Sequence, residues 1–231
     1  MKKCMLIALI TIFTLSVLGT LCLAQLDRTV TDTSKKGSLV IWPLVKASPG
    51  NTIIKLSNDY FMGVKVKCVY HYPATSQVTA WVFTLLPNQE VAWMASTGKG
   101  VGLAYLNAIG TPPVLTGVAE LRCWAVDDTE LQQIAWNWLS GEAIVQELNS
   151  GNWEYSAWRF AVNSSTTGAN AGDPGKILLS GDSGNYDACP TALLFNFMKQ
   201  TATVSGTFPT KGTANNVLTL VPCGEDLTTN S

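Results

Sequence analysis

The chain has one histidine, His71, in 231 residues, and that scarcity removes more chemistry than any other feature. A zinc or copper site built on imidazole would have to be completed by cysteines or carboxylates. A Ser-His-Asp relay would have a single base to draw on, and the sequence has no G-x-S-x-G elbow to carry its nucleophile. No C-x-x-C spacing occurs, which argues against a four-cysteine metal site and excludes C-x-x-C-H haem attachment. Charge is sparse too: charged residues are 13% of the chain, about half the usual share. The basic residues are scattered, so nothing tracks a phosphate backbone and nucleic acid is not an expected partner. Gly98-Lys99-Gly100-Val101-Gly102 is glycine-rich but lacks the GK[ST] ending of a phosphate-cradling loop.

What is present begins with an export signal. Lys2 and Lys3 precede an almost uncharged apolar run from Met5 to Leu23, and Cys22-Leu23-Ala24 ends on a small residue before Gln25. Residues 1–24 therefore read as a signal peptide cut after Ala24, leaving no stable membrane span. The alternative is a retained anchor, since the run approaches the ~20 residues that cross a bilayer. Leu21, which is not small, argues against Cys22 as a lipid acceptor. Cleavage removes two lysines and takes the formal net charge from −1 to about −3, and predicts a secreted, periplasmic or cell-surface protein.

Export decides what the cysteines mean. Cys4 and Cys22 lie in the signal, leaving Cys68, Cys123, Cys189 and Cys223 to oxidise into two disulfides. Sequence alone allows three connectivities. Val64, Val66, Cys68 and Tyr70 share one face of a strand opposite Lys65 and Lys67, and Ala119, Leu121, Cys123 and Ala125 share a face opposite Glu120 and Arg122. Both thiols point to a core, which favours Cys68–Cys123 and leaves Cys189–Cys223. Each crosslink stabilises by roughly 3–4 kcal/mol on the chain-entropy model.

After a polar, flexible leader at 25–36, residues 37–231 read as one β domain, with a candidate sub-boundary near 127–141. Strands are predicted at Leu39 to Val45, Thr52 to Ser57, Val64 to Tyr72, Val78 to Leu86, Glu90 to Ser96 and Gly117 to Val126. Pro49-Gly50-Asn51, Asn58-Asp59, Pro73 and Pro87-Asn88 supply the turns between them. Further strands are predicted at Tyr155 to Asn163, Ile177 to Ser180, Thr191 to Met198, Ala202 to Phe208 and Val217 to Val221, with Asn163 to Lys176 as a surface loop. Such spacing writes a two-sheet sandwich, and leaves no room for the helical crossovers of a parallel sheet. At 129–141 two readings stand. Leu131, Ile134, Ala135 and Trp138 fit a short helix with Thr129 and Gln132 as its capping box, whereas a strand through Trp136 and Trp138 into Glu142 to Leu148 would place those tryptophans the other way.

The chain is rich in tryptophan, with eight. Exposed rings in a secreted sandwich can stack on sugars or anchor a partner. Trp124 is the first candidate because it alternates to the face of Glu120 and Arg122, followed by Trp136 and Trp153 at element ends. A paired-carboxylate hydrolase would have to draw on Glu120, Glu142, Glu147 and Glu154. Calcium stays open at the turn residues Asp182, Asn185 and Asp187, or Asp127 with Asp128, although their spacing does not match a calcium loop.

The stretches SLVIWP, NTIIKLSND, VKVKCVYHY, FTLLPNQEVAWMASTGKG, PPVLTGVAELRCWAVDD, LSGEAIV, YDACPTALLFNF and LTLVPCGEDL resemble a group of bacterial exported proteins to which no activity is assigned. The N-terminal half resembles the immunoglobulin-like β-sandwich modules of cell-surface proteins. The resemblance implies export and an immunoglobulin-like sandwich, and carries no catalytic residue. The expectation is a structural or binding protein at the cell envelope or beyond, without catalysis or cofactor, engaging a protein or glycan partner; the alternatives are a carbohydrate-binding module and a carboxylate-dependent glycoside hydrolase.

Overall fold

The computed structural model describes residues 29–73, 75, 77–101, 112–147, 151–172, 176–193 and 218–219. Among the described residues there are nine strands and no helix: β1 (Leu39–Lys46), β2 (Asn51–Asn58), β3 (Val64–Tyr72), β4 (Gln77–Leu85), β5 (Gln89–Met94), β6 (Val118–Val126), β7 (Leu139–Glu147), β8 (Gly151–Ser156) and β9 (Trp158–Phe160). They form two antiparallel sheets, ordered β4-β3-β6-β1-β9 and β5-β2-β7-β8. Neither closes into a barrel.

Alternation builds the core between the sheets. From one sheet come Val64, Val66, Cys68 and Tyr70 of β3 with Ala119, Leu121, Cys123 and Ala125 of β6; from the other, Ile54 and Leu56 of β2, Trp93 of β5, and Leu139 and Ala143 of β7. Each large side chain so buried contributes about 1.5–3 kcal/mol. Trp42 lies fully buried across this layer, its indole donating to the Glu142 carbonyl at 2.9 Å. Gly141 makes room for it, since a Cβ there would overlap the Trp42 ring and Val40.

Pro43 sits in β1, a central strand, where proline is normally excluded. The register with β6 shifts between Trp42 and Val45, and β9 pairs only with Leu39 to Ile41, so no ladder bond is lost. The backbone freed there is met by the Tyr155 hydroxyl, which donates to the Leu44 carbonyl at 2.5 Å.

Cys68 and Cys123 stand directly opposite on β3 and β6 and are joined, S–S 1.98 Å, Cα–Cα 4.1 Å. The bond lies within one sheet. Cys189 is also disulfide-bonded; Cys223, its expected partner, lies outside the described residues, as does the signal segment.

Four expectations need correction. The 129–141 region is not helical: Asp127 accepts bonds from the Thr129 hydroxyl (2.8 Å) and the Gln132 amide (3.1 Å), and the backbone at 133–135 pairs with Ala125 and Ala169 instead of with itself. Leu131, which the helical stripe would bury, is 77% exposed. The predicted strand Tyr155 to Asn163 divides into β8 and β9 on different sheets, and Ile177 to Ser180 is not a strand, although Ile177 and Leu179 are buried. The leader is held from residue 29 onward: Val30 bridges Ala188, Thr31 donates to the Ala188 carbonyl, and Asp32 accepts the amides of Ser34 and Lys35. These backbone bonds hold its carboxyl below the usual range. The expected strands Thr191 to Met198, Ala202 to Phe208 and Val217 to Val221 fall largely outside the described residues; 191–193 and 218–219 are not strand.

Residues 162–172 and 176–189 lie over the outer face of the first sheet and form a second apolar cluster with it. Leu39, Ile41, Val69, Trp124, Val126 and Phe160 of the sheet meet Val162, Ala171, Ile177, Leu179 and Tyr186 there. Asn137 secures this cover, accepting the Val162 amide at 2.7 Å and donating to its carbonyl at 2.8 Å.

Candidate functional site

The tryptophan expectations divide. Trp124 does alternate to the outer face with Glu120 and Arg122, but that face is covered and the ring is 5% exposed. Trp136 is equally buried, donating to the Asn58 side chain at 2.9 Å. Neither ring offers a face to a sugar. Trp153 is 36% exposed, with Tyr155 5.6 Å away at a tilt of 31°. Beside it Lys46 and Glu147 pair at 2.7 Å; the Lys46 ammonium, helped by a bond from Trp153, holds the Glu147 carboxyl below its ordinary range.

The four glutamates do not meet in one cleft. Glu120 pairs with Arg122 on the outer face of the first sheet, and Glu147 turns to Lys46. Glu142 and Glu154 share the open face of the second sheet, offset by two residues in the β7–β8 register, with Lys55 3.8 Å from Glu142. In the acidic turn, Asp187 is committed to Lys35 (2.6 Å) and the Ala161 amide (2.7 Å), and Asn185 to Ser180. Among the described residues no group of three His, Cys, Asp or Glu side chains is placed to hold a metal, and no helix is long and apolar enough to cross a membrane. His71 is half-buried on β3, on the wall of a shallow cavity of about 270 Å³ with Lys67, Val69, Trp124, Glu130 and Leu131.

The most developed surface is one that sequence reading passed over as turns. The β2–β3 and β4–β5 connections lie side by side at one end of the sheets and expose Phe61 (69%), Met62 (52%) and Leu86 (54%). A single buried side chain organises both. The Asn58 amide donates to the carbonyls of Met62 (2.8 Å) and Leu86 (3.1 Å), while its oxygen accepts from the Trp136 indole (2.9 Å) and the Tyr60 amide (3.2 Å). Asn88, at φ 51° where asparagine is tolerated, donates its amide to the Tyr60 carbonyl at 2.9 Å. Behind the exposed residues Tyr60 stacks on Trp138 at 5.1 Å and meets Trp136 edge-on. Lys36 lies 5.6 Å over the Trp138 ring and pairs with Asp59 at 2.8 Å. The apolar turns are thus fixed before any partner arrives, which lowers the ordering cost of binding. The available signal was Tyr60-Phe61-Met62 itself, three large side chains between Asn58-Asp59 and Gly63, where a turn needs none.

Comparison of the chain with protein-family models, with curated proteins and with solved structures gives no match.

Proposed function

We propose that this is an exported binding module of immunoglobulin-like architecture, joining a protein partner through the turns that carry Phe61, Met62 and Leu86. The observation that carries the reading is the Asn58 hub, which spends a fully buried amide on holding three large apolar side chains in solvent. Exposed apolar residues on rigid turns are how partner surfaces are anchored. Sandwich architecture is supported by the core shared between the sheets. The pairings β2–β5, β3–β6 and β3–β4 match those of strands B–E, C–F and C–C′ in immunoglobulin domains. Two departures accompany that match: β1 takes the place beside β6 that the last strand holds there, and β7 the place of the first. The antibody disulfide joins two sheets, whereas Cys68–Cys123 stays within one. Export rests on the apolar N-terminal run and agrees with the disulfide.

Photo-crosslinking in the producing cells tests the reading. A photoreactive residue at position 61 is expected to give one discrete protein adduct that the pair Met62→Ser with Leu86→Ser abolishes, while the same group at exposed Thr167, away from both these turns and β4, gives none. Equal labelling from both positions, or none from position 61, overturns it. A glycan role is favoured only by the Trp153–Tyr155 pair beside Glu147, and requires oligosaccharide binding that Trp153→Ala removes.

A further inference from the structure

Four strands end the two sheets, and three of those ends are blunted. β9 is three residues long and is backed by the segment at Asp32, which takes the Arg159 amide at 3.1 Å. β5 is covered at Trp93 by a bridge to Gly100, with Val101 donating to Ala92. β8 carries Glu154 and begins at a glycine of φ 91°. Among the described residues β4 has none of these protections. Its sequence, QVTAWVFTL, holds no charge, no proline and no glycine, it pairs with β3 over its whole length without a register shift, and among the described residues no strand lies along its other side. A long, uncharged, unbulged edge is a template for another strand.

The register shows which groups are open. Cys68 and Cys123 are 4.1 Å apart at Cα, the close spacing of a non-hydrogen-bonded antiparallel pair, so the Cys68 backbone N–H and C=O turn toward β4. Trp81, opposite Cys68, returns those bonds. Its alternates Val78, Ala80, Val82 and Thr84 therefore direct their backbone groups to the free edge. Val78 is 46% exposed, and Ala80 and Thr84 are exposed as well.

We propose that β4 pairs antiparallel with β4 of a second copy of this chain, about a two-fold axis at Trp81. Pairing centred there sets Ala80 against Val82 and Val78 against Thr84, and every outward backbone group finds its counterpart. The strand is self-complementary in charge because it has none, and its apolar and β-branched side chains meet like partners on one face. A two-fold contact consumes the open edge of both copies, and the blunted edges at β9, β5 and β8 offer no site for a third. This interface runs along β4 up to the turn at Leu86 and is inferred independently of what that turn binds.

Sedimentation equilibrium on the exported, oxidised protein tests it. The expected mass is twice that of the monomer at micromolar concentration. Ala80→Pro removes only an outward N–H, so it is expected to give a monomer with an unchanged far-ultraviolet spectrum. Val78→Lys with Thr84→Lys places like charges opposite one another on exposed positions and gives a monomer independently of whether the proline variant folds. Mixing that double-lysine protein with Val78→Glu/Thr84→Glu restores the doubled mass. A wild-type monomer at 100-fold higher concentration, a dimer that survives both the proline and the double-lysine changes, or a mixture that stays monomeric overturns the proposal.

Discussion

The apolar layer between the sheets and the one on the outer face of the first sheet differ in how they are made. Between the sheets, burial follows the two-residue period of β2, β3 and β7, β6 being buried on both faces, and the backbone is satisfied by the ladders themselves. On the outer face the strands supply only half of the layer. The other half comes mostly from residues 162–172 and 176–189, among which isolated bridges replace ladders and side chains replace the missing backbone partners: Asn137 for Val162, Asp187 for Ala161, Ser180 for Asp182. One layer is held by periodic structure and the other by individual polar side chains, so the second should open by local steps while the first fails as a whole.

The sharpest way to break that contrast is at the crosslink. Replacing Cys68 and Cys123 together by alanine releases a constraint between positions 55 residues apart and is expected to cost about 4 kcal/mol. Urea unfolding followed by tryptophan fluorescence and by far-ultraviolet circular dichroism should shift by the same amount in both signals, because both layers rest on β3 and β6. A strand signal lost in more than one step would show that the inner layer is not one cooperative unit. Asn137→Ala addresses the cover. It leaves the Val162 amide without a partner, while the carbonyl keeps the Ser164 amide, at a cost of about 1–3 kcal/mol, and faster amide exchange and proteolysis are expected within 162–172 and 176–189 while exchange in β3 and β6 stays unchanged. Uniform acceleration through the sheets would erase the distinction between the layers.

That distinction also explains what could be read from the chain. Strand β3 was legible to the residue, and the inward alternation of Cys68 and Cys123 pointed to the bond now seen between them. Alternation separates two faces; it does not say which face meets water. Trp124 shares its side with Glu120 and Arg122, charges that suggest solvent, yet those two side chains neutralise each other and the ring is roofed by Ile177, Leu179 and Tyr186. The roof has no period to detect, since its bonds are made by side chains distant in sequence. At 129–141 a helical spacing of apolar residues was present, and the Asp127 carboxylate outcompeted it by capturing the Thr129 hydroxyl and the Gln132 amide. The Phe61–Met62–Leu86 surface was hidden for a related reason: Asn58 and Asn88 read as turn residues, and nothing local shows that one of them ties two turns together.

Two buried phenols sharpen the comparison at smaller scale. The Tyr70 hydroxyl, between the sheets, accepts from the Trp93 indole at 3.0 Å, whereas the Tyr186 hydroxyl, under the cover, has no partner among the described residues. Tyr70→Phe strands a buried N–H and is expected to cost about 1–2 kcal/mol; Tyr186→Phe removes an unpaired polar group and is expected to be neutral or stabilising by up to about 1 kcal/mol. Equal losses in thermal or urea melts would refute the assignment. Burial raises the Tyr70, Tyr155 and Tyr186 phenols well above the ordinary value, with the Trp93 indole N–H opposing the shift at Tyr70 and the Leu44 backbone N–H, which donates to the phenol oxygen, opposing it at Tyr155. A raised folded pKa means that the stabilisation is complete below the unfolded value of about 10 and is lost as pH climbs through the folded one. Phenolate absorbance from Tyr70, Tyr155 and Tyr186 should therefore appear only well above pH 10, together with loss of the strand signal. A single step near pH 10 in a folded protein would contradict the burial of all three.

The smallest effect expected belongs to the Lys46–Glu147 pair, at the edge of the inner layer and partly open to water. Lys46 and, to a lesser degree, the Trp153 indole favour the charged carboxylate, so its folded pKa lies below the unfolded value of about 4.3. The sign is opposite to that of the phenols: the stabilisation is present above pH 4.3 and is lost as pH falls through the lower folded value. Solvent screening limits it to under about 1 kcal/mol. Glu147→Gln should reduce stability by that small amount at pH 7 and 50 mM salt, and the difference from the parent should vanish at pH 3 and shrink at 1 M salt. Were the difference instead to persist at pH 3, Glu147 would be acting through packing against Trp153 rather than through its charge, and the edge of the inner layer would resemble the polar-pinned cover more than the core it borders.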